Sequence, residues 1–278
     1  MDLSGLDNPP EPASAVDALF GWIPKGRQWA PSLRYLLRRA RVLEALRSVS
    51  GSNLLEVGCG GGTLLIELSK RGFTCTGLET SAEAISLARD LVEDSGSRVR
   101  LVGAPSVSWD ENFDVVGAFD VLEHIDDDAA AVGQWVSWMK PGGKLVVTVP
   151  AHPGRWGPGD VWAGHYRRYA RTQLVNLIQA HGLEVDHVEC YGFPLANLSE
   201  FFGAWYYRRE LDHRSMTNGS TRQRANDRSG IDRKAYQRAF PALNSLLGRA
   251  LLWGALNLQA ITVRTNWGSG YLLVARKR

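Results

Sequence analysis

Residues 54–62, LLEVGCGGG, constrain the fold of this chain more than any other stretch. An apolar run from Leu54 to Val57, with Glu56 inside it, enters glycines at 58, 60, 61 and 62. A helix-compatible segment, Thr63 to Lys70, follows directly. That order predicts a buried strand, a tight turn and a helix whose N-terminus faces whatever lies over the turn. Glycine is required there because side chains would keep a ligand off the backbone and disfavour positive φ.

Phosphate loops and dinucleotide folds also use glycine turns, and the neighbouring residues separate the cases. No Lys followed by Ser or Thr comes after the glycines, and Gly58, Gly60 and Gly62 have the spacing G-x-G-x-G, not the dinucleotide G-x-G-x-x-G. FTCTGLETS (73–81) lies where the next strand is due and puts Glu79 and Thr80 at its end. A carboxylate there can accept both hydrogen bonds of a ribose diol. The pair resembles motif I and the acidic second-strand end of class I S-adenosylmethionine (SAM) methyltransferases. The resemblance implies that Glu56, Gly58, Cys59, Gly60 and Gly62 hold the amino acid part of SAM, and Glu79 with Thr80 the ribose. For the adenine it points to Gly103 and Ala104, where this chain lacks the acidic residue often found in the family.

Strand and helix patterns alternate along the rest of the chain. RVRLV (98–102), the apolar run Phe113–Phe119, KLVVTVP (144–150) after a Pro-Gly-Gly turn, GLEVDHVEC (182–190) and YLLVARKR (271–278) read as strands, with helical segments between most of them. An α/β fold with a doubly wound parallel sheet is expected. The resemblance makes it the Rossmann-like, seven-stranded methyltransferase sheet with its last strand antiparallel. Ahead of the first strand, Leu33, Leu36, Leu37, Ala40, Leu43 and Leu46 share one face of a helix, with arginines over much of the remainder. Ser81 is placed as an N-cap.

Residues 1–27 read as a flexible lead-in, 28–190 with 271–278 as the SAM-binding domain, and 191–270 as an inserted helical subdomain. A connection that long needs structure of its own. It holds the aromatic-rich stretch 192–211, a polar basic stretch 216–234 and an apolar segment 240–263, read as one long helix. Peripheral membrane contact, a homodimer interface or a wall of the active site are the roles open to it.

A net charge of +3 is too small to argue for nucleic acid, although 200–238 holds nine Lys/Arg against five Asp/Glu. The basic stretch has little of the aromatic interleaving that stacks on bases. In place of the (N/D)-P-P-(Y/F) motif of nucleic-acid amine methylators stand Phe119, Asp120, Val121 and Leu122. No nucleic-acid partner is expected. Three cysteines without metal-like spacing read as reduced and buried. With no basic-then-apolar leader they favour the cytoplasm, with a peripheral place at the inner face of the membrane left open.

Two segments are candidates for the chemistry. FDVLEHIDD (119–127) resembles the family segment that lines methyl donor and acceptor. By that resemblance Phe119 and Asp120 contact the cofactor and His124 faces the cleft as a modest base. Asp126 to Asp128 read as helix caps, not metal ligands, and no metal is expected. The second segment, 149–174, crowds Gly, Pro, Trp, His and Arg after a strand end, where open α/β sheets bind ligands. Within it GHYRRY (164–169) resembles the substrate-covering segment of type 11 and type 23 methyltransferases. His165 and Tyr166 are the candidate proton carriers, Arg167 or Arg168 the anion fork, and Trp156 and Trp162 an aromatic wall. The expected reaction is methyl transfer from SAM to a small hydrophobic or amphiphilic acceptor, preferably at oxygen. An N-methyltransferase of a polar metabolite, nucleic acid or protein, and a non-catalytic SAM-binding partner subunit, remain as alternatives.

Overall fold

The computed structural model describes residues 16–24, 29–49, 52–215 and 234–278. Seven strands form one sheet: β1 Asn53–Val57, β2 Thr74–Leu78, β3 Val99–Val102, β4 Phe113–Phe119, β5 Met139–Pro150, β6 Leu183–Tyr191 and β7 Gly270–Lys277. Their order is β3-β2-β1-β4-β5-β7-β6, with β7 antiparallel to both β5 and β6. Chain order reverses between β1 and β4, so the strand ends there open a crevice, and the glycine turn after β1 lies at its floor.

Helices α1 Leu33–Ala45, α2 Thr63–Lys70, α3 Ala82–Ser95, α4 Asp128–Trp138, α5 Pro158–Ala163 and α6 Arg171–Ala180 connect or precede these strands. Side-chain caps fix several starts. Ser32 accepts from the Tyr35 N–H, Ser81 from Ala84 and Asp127 from Ala130. The expected cap functions are therefore observed for Ser81 and, within 126–128, for Asp127. Residues 139–143 differ from expectation: Lys140-Pro141-Gly142-Gly143 makes no turn before the strand but belongs to β5. Gly142 takes φ +74°, and the β4–β5 register slips between Phe113 and Val115, so the glycines form an irregularity that the strand continues through.

Apolar clusters pack on both faces of the sheet, as parallel strands covered on two sides require. A third cluster joins segments far apart in sequence: Phe20 and Trp22 meet Trp29, Tyr35 and Leu36 of α1 and Ile66 of α2. The lead-in expected over 1–27 is thus corrected for residues 16–24. Phe20 and Trp22 are fully buried there, and a backbone bridge pairs Asp17 with Gly21. The rest of that lead-in lies outside the described residues.

Between β6 and β7 stand α7 Leu195–Ser215, α8 Lys234–Leu243 and α9 Leu246–Thr262. The single helix expected over 240–263 is two. Ser245 caps α9 by accepting from the Gly248 N–H, so the chain restarts where α8 ends. Among the described residues no helix is long and apolar enough to cross a membrane. Most of the basic stretch 216–234 lies outside the described residues.

Candidate active site

A cleft of about 810 Å³ opens over the carboxyl ends of β1 and β4. Its floor is the glycine turn, where Gly58, Gly60 and Gly62 take φ of +65°, +53° and +69°. A Cβ on Gly60 would meet no protein atom within 4 Å, so the turn presents bare backbone to open cleft space. Gly58 and Gly60 line the cleft beside Glu56 and Cys59. Burial pushes the Glu56 carboxyl up to about 8 against the pull of Arg38, and one of its oxygens has no hydrogen-bond partner. Burial likewise pushes the Cys59 thiol up, so it is an inert lining group.

Glu79 supports this floor from behind. One of its oxygens accepts from the Gly60 N–H and the other from Ser81, both at 2.8 Å. Glu79, Thr80, Gly103 and Ala104 sit outside the cleft lining, on the adjoining strand ends, with Thr80, Gly103 and Ala104 exposed. Gly62 begins α2 behind the turn.

Asp120 ends β4 in the left-handed region at φ +58°, a conformation costly for a non-glycine residue and held by its surroundings. Its carboxylate accepts from Arg38 at 2.8 Å, Thr148 at 3.0 Å, Tyr191 at 3.2 Å and Arg34 at 3.3 Å. Burial opposes its charge, but the two guanidinium groups outweigh burial and hold it well below the usual carboxylate range. Asp120 therefore fastens α1 over the cleft. Arg34 Nη2 and Arg38 Nε are buried there without a hydrogen-bond partner. The helical pattern sets these arginines beside the leucine face without assigning them a partner. Their i, i+4 spacing could have marked them as sharing one side of the helix. Arg39 is buried too, in an ion pair with Glu67 of α2.

The opposite wall comes from α5, the loop around it and α7. His165 Nδ1 lies 2.9 Å from Asp160 Oδ1, and Arg168 Nε lies 2.8 Å from the same oxygen. Burial raises the Asp160 pKa, yet those hydrogen bonds bring it down to about 2, so it is a carboxylate that accepts the Nδ1–H of His165. That fixes the tautomer and leaves the Nε2 lone pair on the cleft side. Nε2 is 4.0 Å from Glu123 Oε1, and the His124 ring stands edge-on to His165 with centroids 4.7 Å apart. Glu123 is fully buried and neither carboxylate oxygen has a hydrogen-bond partner. Burial and the charge of Asp120 raise its pKa well above the ordinary value, which keeps it neutral. The ligand atoms of Glu123, His124 and His165 all lie within 4.8 Å of one another, a set able to hold a metal ion.

The structure divides the arginine pair. Arg168 turns inward, 3.5 Å from Glu200 of α7. Arg167 turns away to Asp128, 2.6 Å, and to the Asp126 carbonyl, so its expected place on the substrate is corrected to a clasp on the start of α4. Tyr166 lies under the Arg167 guanidinium and is also outside the cleft lining, although its N–H holds the Glu123 carbonyl at 2.7 Å. Trp156 is 44% exposed and does not line the cleft, whereas Trp162 does, 5.0 Å from the Tyr207 ring. Phe119 lines the cleft as expected. Sequence reasoning gives no role to Asp160, Glu123, Arg34, Arg38 and Glu200, although Glu123 adjoins His124 in the first candidate segment and Asp160 lies inside the second.

The sheet order, the glycine turn at the switch point and the acidic second-strand end define a class I SAM-dependent methyltransferase. A family model for a methyltransferase domain, type 23, matches residues 27–188, and the chain belongs to that family. Among curated relatives it is 33% identical over 125 residues to a ubiquinone biosynthesis O-methyltransferase of Sodalis glossinidius, covering 43% of this chain and 50% of the relative. The chain thus spans about half the length of the curated relatives it matches. Among solved structures it resembles the [4+2]-cyclase SpnF, with a TM-score of 0.52, 19% identity and coverage of 95% of this chain and 88% of that one. It also resembles phosphoethanolamine N-methyltransferase 2 of Haemonchus contortus in complex with SAM, with a TM-score of 0.51, 17% identity and coverage of 86% and 52%. At such identities these structures speak for the fold alone.

The residues present fit SAM. Bare glycine backbone faces the cleft at Gly58 and Gly60, and the orphaned Arg38 Nε beside Glu56 offers a carboxylate and an amine their counterparts. Arg38, Glu56 and the glycine turn would hold its amino acid end, whereas Glu79, outside the cleft lining with an N–H on each oxygen, would meet a ribose only through its remaining lone pairs. When bound, SAM supplies an electrophilic methyl group on sulfur.

Proposed function

We propose that the protein methylates an oxygen of a hydrophobic or amphiphilic small molecule. The observation that carries this reading is His165, held at Nδ1 by the Asp160 carboxylate and lining a cleft walled by Trp162, Phe201, Tyr206 and Tyr207. A hydroxyl placed against Nε2 gives up its proton there as its oxygen becomes the nucleophile, and Asp160 stabilises the imidazolium that results. The neutral Glu123 carboxyl can donate a hydrogen bond to the same oxygen, a use that needs its raised pKa. Arg34, with one nitrogen unpartnered, and Arg168 would receive an anionic end of the acceptor. Oxygen as the acceptor atom is further supported by the O-methyltransferases among the relatives.

The test uses purified protein, methyl-labelled SAM and an extract of the native cells, with the label partitioned between organic and aqueous phases. Label in the organic phase, released as methanol by alkali or resistant to it, identifies an ester or an ether of an amphiphile. Label confined to polar metabolites or macromolecules would overturn the acceptor class.

A further inference from the structure

Helix α9 is apolar over most of its circumference, interrupted by Arg249, Asn257 and Gln259. Inward, Leu252 is buried and Leu256 packs on the Phe20–Trp22–Leu36 cluster. Outward, Leu246, Leu247, Leu251, Trp253, Leu258 and Ile261 are all exposed, Leu258 least at 42% and Leu246 most at 90%. Its single charge, Arg249, pairs with Asp17 at 2.9 Å. A helix apolar on most sides is ordinarily buried on most of them, and an uncovered apolar face of this size marks an interaction surface.

The start of α7, whose Leu195 packs on the same inner cluster, carries a second exposed apolar face. Leu198, Phe201, Phe202, Trp205 and Tyr206 are exposed, and Arg208 and Arg209 follow them, with the Arg209 guanidinium 4.7 Å from the Trp205 ring centre. Trp267, 57% exposed, adds to the α7 side, because its carbonyl accepts from Asn197 and its ring lies 5.5 Å from Phe193. Arg238 of α8 and Arg264, two residues past the end of α9, are exposed. Of the acidic residues on α7, Glu200 is turned to Arg34 and Arg168, and Glu210 and Asp212 stand in the last turns.

We propose that this face, the outer sides of α9 and of the first turns of α7, docks on a bilayer surface containing anionic phospholipid. Apolar and aromatic side chains rimmed by arginines match the layering of a lipid interface, where the rings enter the acyl boundary and the cations remain among the phosphates. A second copy of the chain would set that basic rim against itself, with no acidic residue on α9 to receive it. Phe201 and Tyr206 both belong to the exposed face and line the cleft, so the cleft mouth opens on the surface that the face would cover. The inference goes beyond the reaction and does not rest on which atom is methylated.

The full chain is mixed with vesicles of phosphatidylcholine, with or without phosphatidylglycerol, and sedimented. Wild-type protein is expected in the pellet with phosphatidylglycerol vesicles. L247E/L251E removes apolar contact at exposed positions outside the cleft and is expected to weaken binding by about tenfold or more. R208E/R209E is expected to abolish the preference for phosphatidylglycerol, by about fivefold for each basic residue lost. Unchanged thermal melting in both variants shows that they fold. Wild-type protein that stays in solution with phosphatidylglycerol vesicles overturns the proposal. So does light scattering that shows a dimer split by L247E/L251E, since a second copy then covers the face.

Discussion

Glu56, Gly58 and Gly60 come to the cleft from one uninterrupted run, residues 54–62, whereas the facing wall draws Arg34 from α1, Asp160 and His165 from the α5 region and Glu200 from α7. The first wall binds through backbone, which needs glycine at fixed spacing and leaves a compact signature. The second binds through side chains, and these can arrive from anywhere the fold brings a helix or loop. A sequence therefore displays its cofactor wall and conceals most of its acceptor wall.

Gly60→Arg is the largest test of that contrast. Gly60 has positive φ and faces open cleft, so the variant both strains the turn and fills the cofactor floor. SAM affinity measured by calorimetry is expected to fall by more than about 100-fold. Unchanged affinity would remove the glycine wall from cofactor binding. On the facing wall, His165→Ala is expected to slow turnover by about 100-fold or more with SAM affinity nearly unaltered. Asp160→Asn should do the same, because an amide oxygen holds the imidazolium far less well than a carboxylate and an amide N–H favours the other tautomer. Dialysis against a chelator is expected to change turnover less than about twofold if His165 acts as the base in this way. A collapse of activity restored by one divalent cation would instead make Glu123, His124 and His165 its ligands.

How much of this could be read in advance follows from where each residue lies. The glycine turn, Glu79 and the alternating strands placed the sheet and its switch point, since apolar period and glycine spacing are local properties. His165 was legible because GHYRRY is compact. Its partner was not, for Asp160 lies five residues earlier inside α5, and only the end of that helix brings the two together. Arg34, Arg38 and Arg39 show the same limit. A helical wheel sets the arginines off the leucine face but cannot show that Asp120 after β4 and Glu67 of α2 draw these three inward.

The two walls also differ in stability. Arg39→Met would leave Glu67 fully buried with only Arg71, 2.8 Å away, as partner. A loss of about 3 kcal/mol is expected in chemical denaturation, the low end for breaking a buried pair. Glu56 should act more gently and through pH. Its folded pKa, about 8, exceeds the ordinary 4.5, so its contribution to stability is complete below pH 4.5 and disappears as pH rises through 8. Glu56→Gln should therefore lose less stability than wild type between pH 5 and pH 9. Parallel curves would mean that the carboxylate is ionised throughout. Asp160 runs in the opposite sense, its contribution present above pH 3.8 and lost as pH falls through about 2.

The smallest expected effect separates two neighbours in one motif. Arg168 is buried against Asp160 and reaches Glu200 at the cleft, while Arg167 clasps Asp128 and Asp126 at the protein's surface. Arg168→Lys removes the fork that holds Asp160 in line with His165, and kcat should fall with it. Arg167→Lys keeps a cation near Asp128 at a half-exposed site, where an ion pair contributes less than about 1 kcal/mol. Turnover in that variant should stay within about twofold of wild type, as it should in Trp156→Ala. Steady-state kinetics on the three variants decide the matter. Equal losses at 167 and 168 would mean that the acceptor reaches past the cleft to the α4 side, and that the facing wall is wider than the one described.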